Sequence, residues 1–243
     1  CNVSASASFR ILARESLYAR LFCKGIFRMP TFTESYYYHL GNAGLMPEKT
    51  SQYGLGLTWQ KQLSLWWPML RITIDGYANR INDKITSVPM NLHEWRTINI
   101  GKVESRGCDL TVENHWQLNR HHRLVLNASS SWQDVLDVTQ PDDATYKRQL
   151  AYMPHTTAST SVAYENPFVN MAVTLTGCTG RWATHEHGYA EITVSLWQSF
   201  RLTRMLTADV RLSVHNLGDK QYNIIKGYPM PGRAYRLSVT TNF

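Results

Sequence analysis

Apolar and polar residues alternate along most of this chain, strictly enough in places to name the two faces. Between residues 206 and 214 the even positions are Leu206, Ala208, Val210, Leu212 and Val214, and the odd ones are Thr207, Asp209, Arg211 and Ser213. Residues 190–196 set Ala190, Ile192, Val194 and Leu196 against Glu191, Thr193 and Ser195; residues 110–118 repeat the pattern, interrupted only by Asn114. At the end of the chain Tyr235, Leu237, Val239 and Phe243 share one face, while Arg236, Ser238, Thr240 and Asn242 share the other. Weaker versions occupy 17–27, 52–60, 69–79, 122–133, 156–164 and 170–179. A period of two marks a strand with one apolar face. Helical periodicity is nearly missing, so the pattern predicts an all-β protein of about ten strands, with room for an eleventh at 8–12.

Many of these runs reach about nine to eleven residues, longer than the usual soluble strand and matched to a tilted strand crossing a bilayer. Alternation alone would also suit a sandwich with its apolar faces turned inward. Connection lengths favour the membrane. Long segments follow Phe27, Tyr77, Asp134, Gly180 and Leu217, whereas short ones fall at 61–68, 119–121, 165–167 and 199–204. Short turns at one end and long loops at the other are the mark of an antiparallel transmembrane β-barrel of the outer membrane, with Phe243 on the periplasmic side. Trp59, Trp116, Trp197 and Phe243, with Trp66, Trp67, Phe168 and Phe200 near the short turns, are expected at one lipid interface. Tyr77, Trp95, Trp132 and Tyr189 are expected at the other.

Composition narrows the classes further. Of 243 residues 43% are hydrophobic and 18% charged, too apolar for a disordered chain. The longest apolar stretch, 65–70, is far short of the roughly 20 residues of a spanning helix. A net charge of +7 suits anionic lipid or lipopolysaccharide, and the lack of any Lys/Arg run argues against nucleic acid. Cys1, Cys23, Cys108 and Cys178 are widely spaced, without CxxC pairing, so no zinc site or disulfide framework is signalled and their pairing stays open. Residues 1–4 have neither an initiating Met nor the start of a signal peptide, and read as the beginning of a fragment.

Two stretches carry a specific resemblance. Phe27-Arg28-Met29-Pro30-Thr31-Phe32, followed by Gly41-Asn42-Ala43-Gly44-Leu45-Met46-Pro47-Glu48, is similar to the FRxPT…GNxxLxPE segment of TonB-dependent outer-membrane receptors. Asn216-Leu217-Gly218-Asp219-Lys220-Gln221-Tyr222, then Pro231-Gly232-Arg233 and a terminal Phe, resembles that family's NLxDKxY…PGR…F ending. The resemblance spans essentially the whole chain. It implies a place in the bacterial outer membrane and a barrel of roughly 22 strands closed around an N-terminal plug. It also implies uptake of a scarce nutrient, an iron-siderophore, haem or corrinoid, driven by the TonB complex through that plug. Residues 1–243 then correspond to the C-terminal part of the barrel alone, about ten strands without plug or TonB box. Tyr235, Leu237, Val239 and Phe243 resemble the terminal signal read by the barrel-assembly machinery.

The chemistry expected of such a chain is recognition. Polar strand faces carry Arg20, Lys24, Arg71, Asp75, Asp109, Glu113, His115, Glu191, Asp209, Arg211 and Arg236, which would hydrate the lumen wall and meet a plug. The outer loops offer Tyr36, Tyr37, Tyr38 and His39, with His93 and Trp95, as aromatic and polar contacts for a small nutrient ligand. His185-Glu186-His187 has metal-ligand residue types, but alternate residues on extended backbone share a face, Glu186 points away and no third ligand is evident, so no metal or cofactor is expected. No nucleophile with a His partner or phosphate-binding loop appears, so the chain reads as a receptor and not an enzyme. The alternatives are a truncated or split barrel with no transport of its own, and an outer-membrane barrel hydrolase.

Overall fold

The computed structural model describes residues 2–12, 16–90, 94–181, 187–203 and 206–242. Ten long strands follow one another as neighbours: β1 (Val3–Leu12), β2 (Leu17–Arg28), β3 (Glu48–Lys61), β4 (Met69–Pro89), β5 (Trp95–Gln117), β6 (Arg123–Asp137), β7 (Thr156–Glu165), β8 (Asn170–Cys178), β9 (Tyr189–Arg201) and β10 (Thr207–His215). After a small hairpin of β11 (Asn223–Ile225) and β12 (Tyr228–Pro229), β13 (Ala234–Asn242) pairs with β10 and completes an 11-stranded antiparallel sheet. All ten expected strands are present. The eleventh, β1, begins earlier than residue 8, because Ser/Ala alternation in 4–8 has too little hydropathy contrast to be read.

Register joins the apolar sides into one surface. Leu212 of β10 lies opposite Leu196 and Leu237; Val173 of β8 lies opposite Val162 and Val194. Val112 of β5 is opposite Ile72 and Ala128, and Ile74 of β4 is opposite Leu57 and Leu110. A slip of one residue anywhere would turn a whole strand's apolar set over. Leu237, Leu212, Val173 and Ile74 are all exposed, so this surface has no protein cover and suits hydrocarbon.

The buried apolar cluster lies elsewhere. Ile81, Val103 and Val135, joined by Ile100 and Leu150, pack near the far ends of β4, β5 and β6. The phase has reversed there: on β4 and β5 the lipid-side residues are even-numbered (Ile72, Ile74, Leu110, Val112), whereas Ile81, Ile85 and Val103 are odd-numbered and buried. Residues 138–155 fold over them, tied by Leu150 N to Val135 O (2.8 Å), Val135 N to Gln149 Oε1 (2.8 Å) and Val138 N to Lys102 O (2.9 Å). This corrects the expected long loop after Tyr77, most of which is strand. A strand that leaves the bilayer must turn its polar side to water, and the resulting phase change looks, in sequence, like a strand's end.

Some aromatic positions also need correction. Trp59 and Trp116 join the apolar rows, opposite Leu17 and Ile72 and opposite Leu124, and Trp132 is exposed on the same side. Trp197, however, lies opposite Arg211, whose guanidinium carbon is 5.2 Å from its ring centroid, on the polar face. Tyr77 lies opposite Gly54 and Gly107 on that face too, where Gly107 leaves room for its ring and Gly54 for that of Phe22. Trp95 and Tyr189 pair with loop aromatics instead, Tyr152 at 6.2 Å and Tyr222 at 3.9 Å. Phe243 lies outside the described residues.

Asn114, the polar residue on the lipid side of β5, is buried, and its Oδ1 accepts a 2.6 Å hydrogen bond from Trp67 Nε1 in the turn between β3 and β4. Trp67 in turn packs on Trp116, with ring centroids 6.0 Å apart. Trp67→Phe is expected to strand that amide and cost about 1–3 kcal/mol. Adding Asn114→Leu should recover most of the loss. Guanidinium unfolding of the membrane-inserted barrel, followed by tryptophan fluorescence, checks both.

Candidate functional site

The loop between β2 and β3 is built around one arginine. Thr31 caps the short helix α1 (Phe32–Tyr36): its hydroxyl accepts from Glu34 N at 3.2 Å, and Glu34 Oε2 accepts from Thr31 N at 2.8 Å. This reciprocal arrangement satisfies two otherwise orphaned donors. Arg28 Nη1 donates to both oxygens of Glu34 (2.9 and 3.0 Å), and Nη2 donates to Glu48 at 3.3 Å. Glu48 Oε2 also accepts from Ile85 N at 3.0 Å. The end of β2, the helix, the start of β3 and the β4–β5 hairpin are thereby fastened together.

Gly41 closes the loop against the helix. Its N–H donates to Tyr37 O at 2.7 Å, and a Cβ there would stand 2.6 Å from Tyr37 N and 2.7 Å from Tyr36 N, so only glycine fits. Asn42 then donates from Nδ2 to Thr97 O (3.2 Å), while Thr97 N donates to Leu40 O (2.9 Å). Asn99 brackets the backbone of Met46, accepting from its N–H at 2.8 Å and donating to its carbonyl at 3.0 Å. Arg28, Gly41, Asn42 and Glu48 of the first motif thus shape and anchor an outer loop. Leu45 and Pro47 are half-buried in its return, Pro30 leads into the helix, and Phe27 is exposed on the apolar side of β2.

That frame presents Tyr36, Tyr37 and Tyr38 to solvent, each more than 60% exposed, together with His39. Phe32 packs on Tyr36 (5.2 Å) and Tyr38 on His39 (3.8 Å). The Leu40–Thr97 bond ties the end of this aromatic run to β5, two residues along the strand from Trp95. His93 lies outside the described residues. Tyr152, which packs on Trp95, was not singled out from sequence; a lone Tyr in a polar loop carries no periodic signal.

Burial pushes the Glu34 carboxyl up, but Thr31 N–H, the Arg28 guanidinium and the Thr31 hydroxyl outweigh it and hold the group below its ordinary value; Arg28 is raised in spite of its own burial. A carboxyl depressed in the folded loop stabilises it above the unfolded value and loses that contribution as pH falls through the folded one. Loop 29–47 is therefore expected to keep its amide protection from neutral pH down to about 4.5, the reference value for Glu, and to lose it progressively below. Hydrogen exchange at Thr31 and Glu34, corrected for intrinsic rate, checks this.

A second ordered loop precedes β13. Asn216, with φ 48°, is 2% exposed; its side chain accepts from Lys220 N (2.9 Å) and donates to the carbonyls of Lys220 (2.9 Å) and Pro231 (3.4 Å). Asp219 Oδ1 accepts from Arg233 N at 2.7 Å, and Arg233 Nε donates to Leu217 O at 3.0 Å. Gly232 sits where a Cβ would press on the Asp219 carboxylate at 2.6 Å. Tyr222 stacks on Tyr189 and donates to Glu191 Oε2 at 2.8 Å; burial, then the Glu191 carboxylate, pushes its phenol above the ordinary range. The closing motif is a clasp made of these contacts.

The polar face pairs with itself: Arg20 with Asp75 (2.6 Å), Arg71 with Glu113 (3.0 Å), Asp109 with Ser131, and Asp209 with Ser199 (2.5 Å) and Asn242 (3.0 Å). His185 and Glu186 lie outside the described residues, and His187 is exposed. Among the described residues, no three His, Cys, Asp or Glu side chains converge, and Cys23, Cys108 and Cys178 are free thiols.

Comparisons with known proteins agree with this geometry. The family described as TonB dependent receptor-like, beta-barrel matches residues 5–217. The vitamin B12 transporter BtuB of Photobacterium profundum is 25% identical over 224 residues, 89% of this chain and 34% of that protein. The copper transporter OprC superposes with a TM-score of 0.70 at 17% identity, covering 98% of this chain and 39% of its own. BauA, the ferric preacinetobactin receptor from Acinetobacter baumannii, gives 0.66 at 14% identity over 99% and 36%. At such identities the solved structures speak for the fold, and the chain spans little more than a third of the length of these relatives. Most of the chain falls inside the family match: the chain belongs to the TonB-dependent receptor β-barrel family.

Proposed function

We propose that this chain is the C-terminal barrel portion of an outer-membrane receptor for TonB-dependent uptake of a scarce nutrient, an iron-siderophore, haem or corrinoid. Members of the family are outer-membrane receptors and transporters, not enzymes. The observation that carries the finer reading is the aromatic apex: three exposed tyrosines and His39 held on a multiply anchored loop that is hydrogen-bonded to β5 two residues from Trp95. Aromatic faces on a fixed scaffold suit a flat macrocycle or a catecholate, because stacking needs area and little ordering of the binding groups. The vitamin B12 transporter among the relatives and the ferric preacinetobactin receptor among the structural neighbours support this reading.

The sheet argues for further strands. β1 and β13 stand at its two ends, and each unpaired backbone group in hydrocarbon costs several kcal/mol. In this reading the remaining strands and a plug contacting TonB belong to the same receptor. In this reading Tyr235, Leu237 and Val239, exposed along β13, are part of the surface read by the assembly machinery. The segment alone would not transport.

The test uses the receptor that carries this segment, displayed on cells. Binding of a ferric siderophore, haemin and cyanocobalamin is measured for the parent and for Tyr36→Ala/Tyr37→Ala/Tyr38→Ala. One of the three should bind, and the triple variant should lose about tenfold or more, as when aromatic anchors are removed from an interface. Unchanged binding would remove the apex from the site, and binding of none of the three would defeat the substrate class.

A further inference from the structure

Pairing of β3 with β4 stops at Lys49 opposite Asn82, but β4 and β5 run on together as far as Pro89 opposite Trp95. Residues 83–89 therefore form a projecting hairpin edge beyond the last β3 pair, and Trp95 stands at its far end. Such an edge leaves backbone donors and acceptors to be satisfied from elsewhere. Side chains do so here. Glu48, the residue next to that last pair, places Oε2 on Ile85 N at 3.0 Å. Asn99 Nδ2 donates to Asp83 O at 2.7 Å, at a kink where φ is 54°.

The same two side chains hold the loop between β2 and β3. The Glu48 carboxylate, largely buried, takes Arg28 Nη2 at 3.3 Å, while Arg28 Nη1 holds Glu34 of α1 at 2.9 Å. Asn99 brackets the backbone of Met46, and Asn42 and Leu40 reach the buried Thr97. These ties make one body of two segments distant in sequence. Tyr36, Tyr37, Tyr38 and His39 ride on one of them, and Trp95 with its partner Tyr152 on the other. Arg28, Glu48 and Asn99 themselves are half-buried behind the exposed tyrosines.

We propose that Arg28 and Asn99 are positioning residues for ligand capture: neither touches the ligand, and together they hold the tyrosine loop and the Trp95 hairpin as one body, competent before a ligand arrives. This rests on the reading of the apex as the capture site and is independent of which nutrient is taken. A surface that is competent only part of the time binds in proportion to that fraction. Loosening the frame therefore slows association, whereas removing a contact speeds dissociation. Lysine replaces Arg28 only in part, because a single ammonium lacks the fork that spans Glu34 and Glu48.

The test immobilises the intact receptor in detergent and follows a ferric siderophore, haemin and cyanocobalamin by surface plasmon resonance, which reads capacity, association and dissociation separately. Arg28→Gln and Asn99→Ala should each slow association about tenfold and leave dissociation unchanged, with Arg28→Lys in between. Tyr38→Ala should speed dissociation instead. Arg123→Gln, which removes an ion pair with Glu165 at the short-turn end of the barrel, should match the parent. Without ligand, amide exchange at Ile85 and Thr97 on the hairpin should quicken in both Arg28→Gln and Asn99→Ala. Faster dissociation at unchanged association would make these two residues contacts, and reduced capacity at parent rates would make them folding aids; either result overturns the proposal. If none of the three probes binds, the substrate class falls, and exchange alone decides the frame: parent-like protection at Ile85 and Thr97 overturns it.

Discussion

Arginine in place of Val173 is expected to destabilise the inserted barrel by about 2–4 kcal/mol, while arginine in place of its neighbour Thr174 should cost less than about 1 kcal/mol. Val173 sits mid-strand between Val162 and Val194, exposed on the apolar face. A guanidinium there must be carried into hydrocarbon or must drag water and headgroups toward the midplane. Thr174, opposite Ser161 and Thr193, has its hydroxyl 3.0 Å from Ser161 Oγ on the polar side, where an arginine would meet water. The two substitutions share charge, volume and strand, so the difference between them isolates orientation. Urea or guanidinium unfolding from vesicles measures it. Equal costs would mean that the two faces see the same solvent, and the reading of the apolar face as lipid-exposed would fall.

The same alternation explains which parts of this structure could be read from sequence. Among the strands crossing the bilayer, β7, β8, β10 and β13 follow the alternation within a residue or two, β10 with high-contrast pairs such as Leu212 against Arg211, whereas β9 runs five residues past the 190–196 pattern. Where contrast is low, as along Ser4-Ala5-Ser6-Ala7, or where the phase turns over between Ala78 and Ile81, a local pattern cannot distinguish a continuing strand from a loop. Helix α1 escaped for another reason: at five residues it is too short for periodicity, and only the Thr31 and Glu34 spacing announces it. The motifs in the long loops were legible as words before they were intelligible as contacts. That Glu48 answers Arg28, or that Tyr222 reaches Glu191, depends on pairing of strands distant in sequence. Aromatic type without parity predicts a lipid position for Tyr77 and Trp197, whereas register places both on the polar side.

Asn216→Ala is the second substitution expected to act strongly, because one buried amide serves three partners. Its side chain ties Lys220 N, Lys220 O and Pro231 O together, while its own carbonyl accepts from Asp219 N at 2.8 Å and the following Leu217 N reaches across to Ile192 O at 2.8 Å. Alanine would leave those backbone groups without their partner and would also have to hold φ near 48°, a region that Asn tolerates better than Ala. The expected cost is about 2–4 kcal/mol, combining lost hydrogen bonds with backbone strain. Asn216→Asp keeps the acceptor for Lys220 N and turns both donor contacts into carboxylate–carbonyl repulsion, so it should fall nearly as far. Asn216→Gly relieves the backbone alone and should recover only the strain. Ordering the three by protease cleavage within 217–233, together with the yield of assembled barrel, separates the contributions. If alanine and glycine are equally resistant and close to the parent, the amide does not hold the clasp, and the closing motif must owe its form to the Asp219–Arg233 contacts instead.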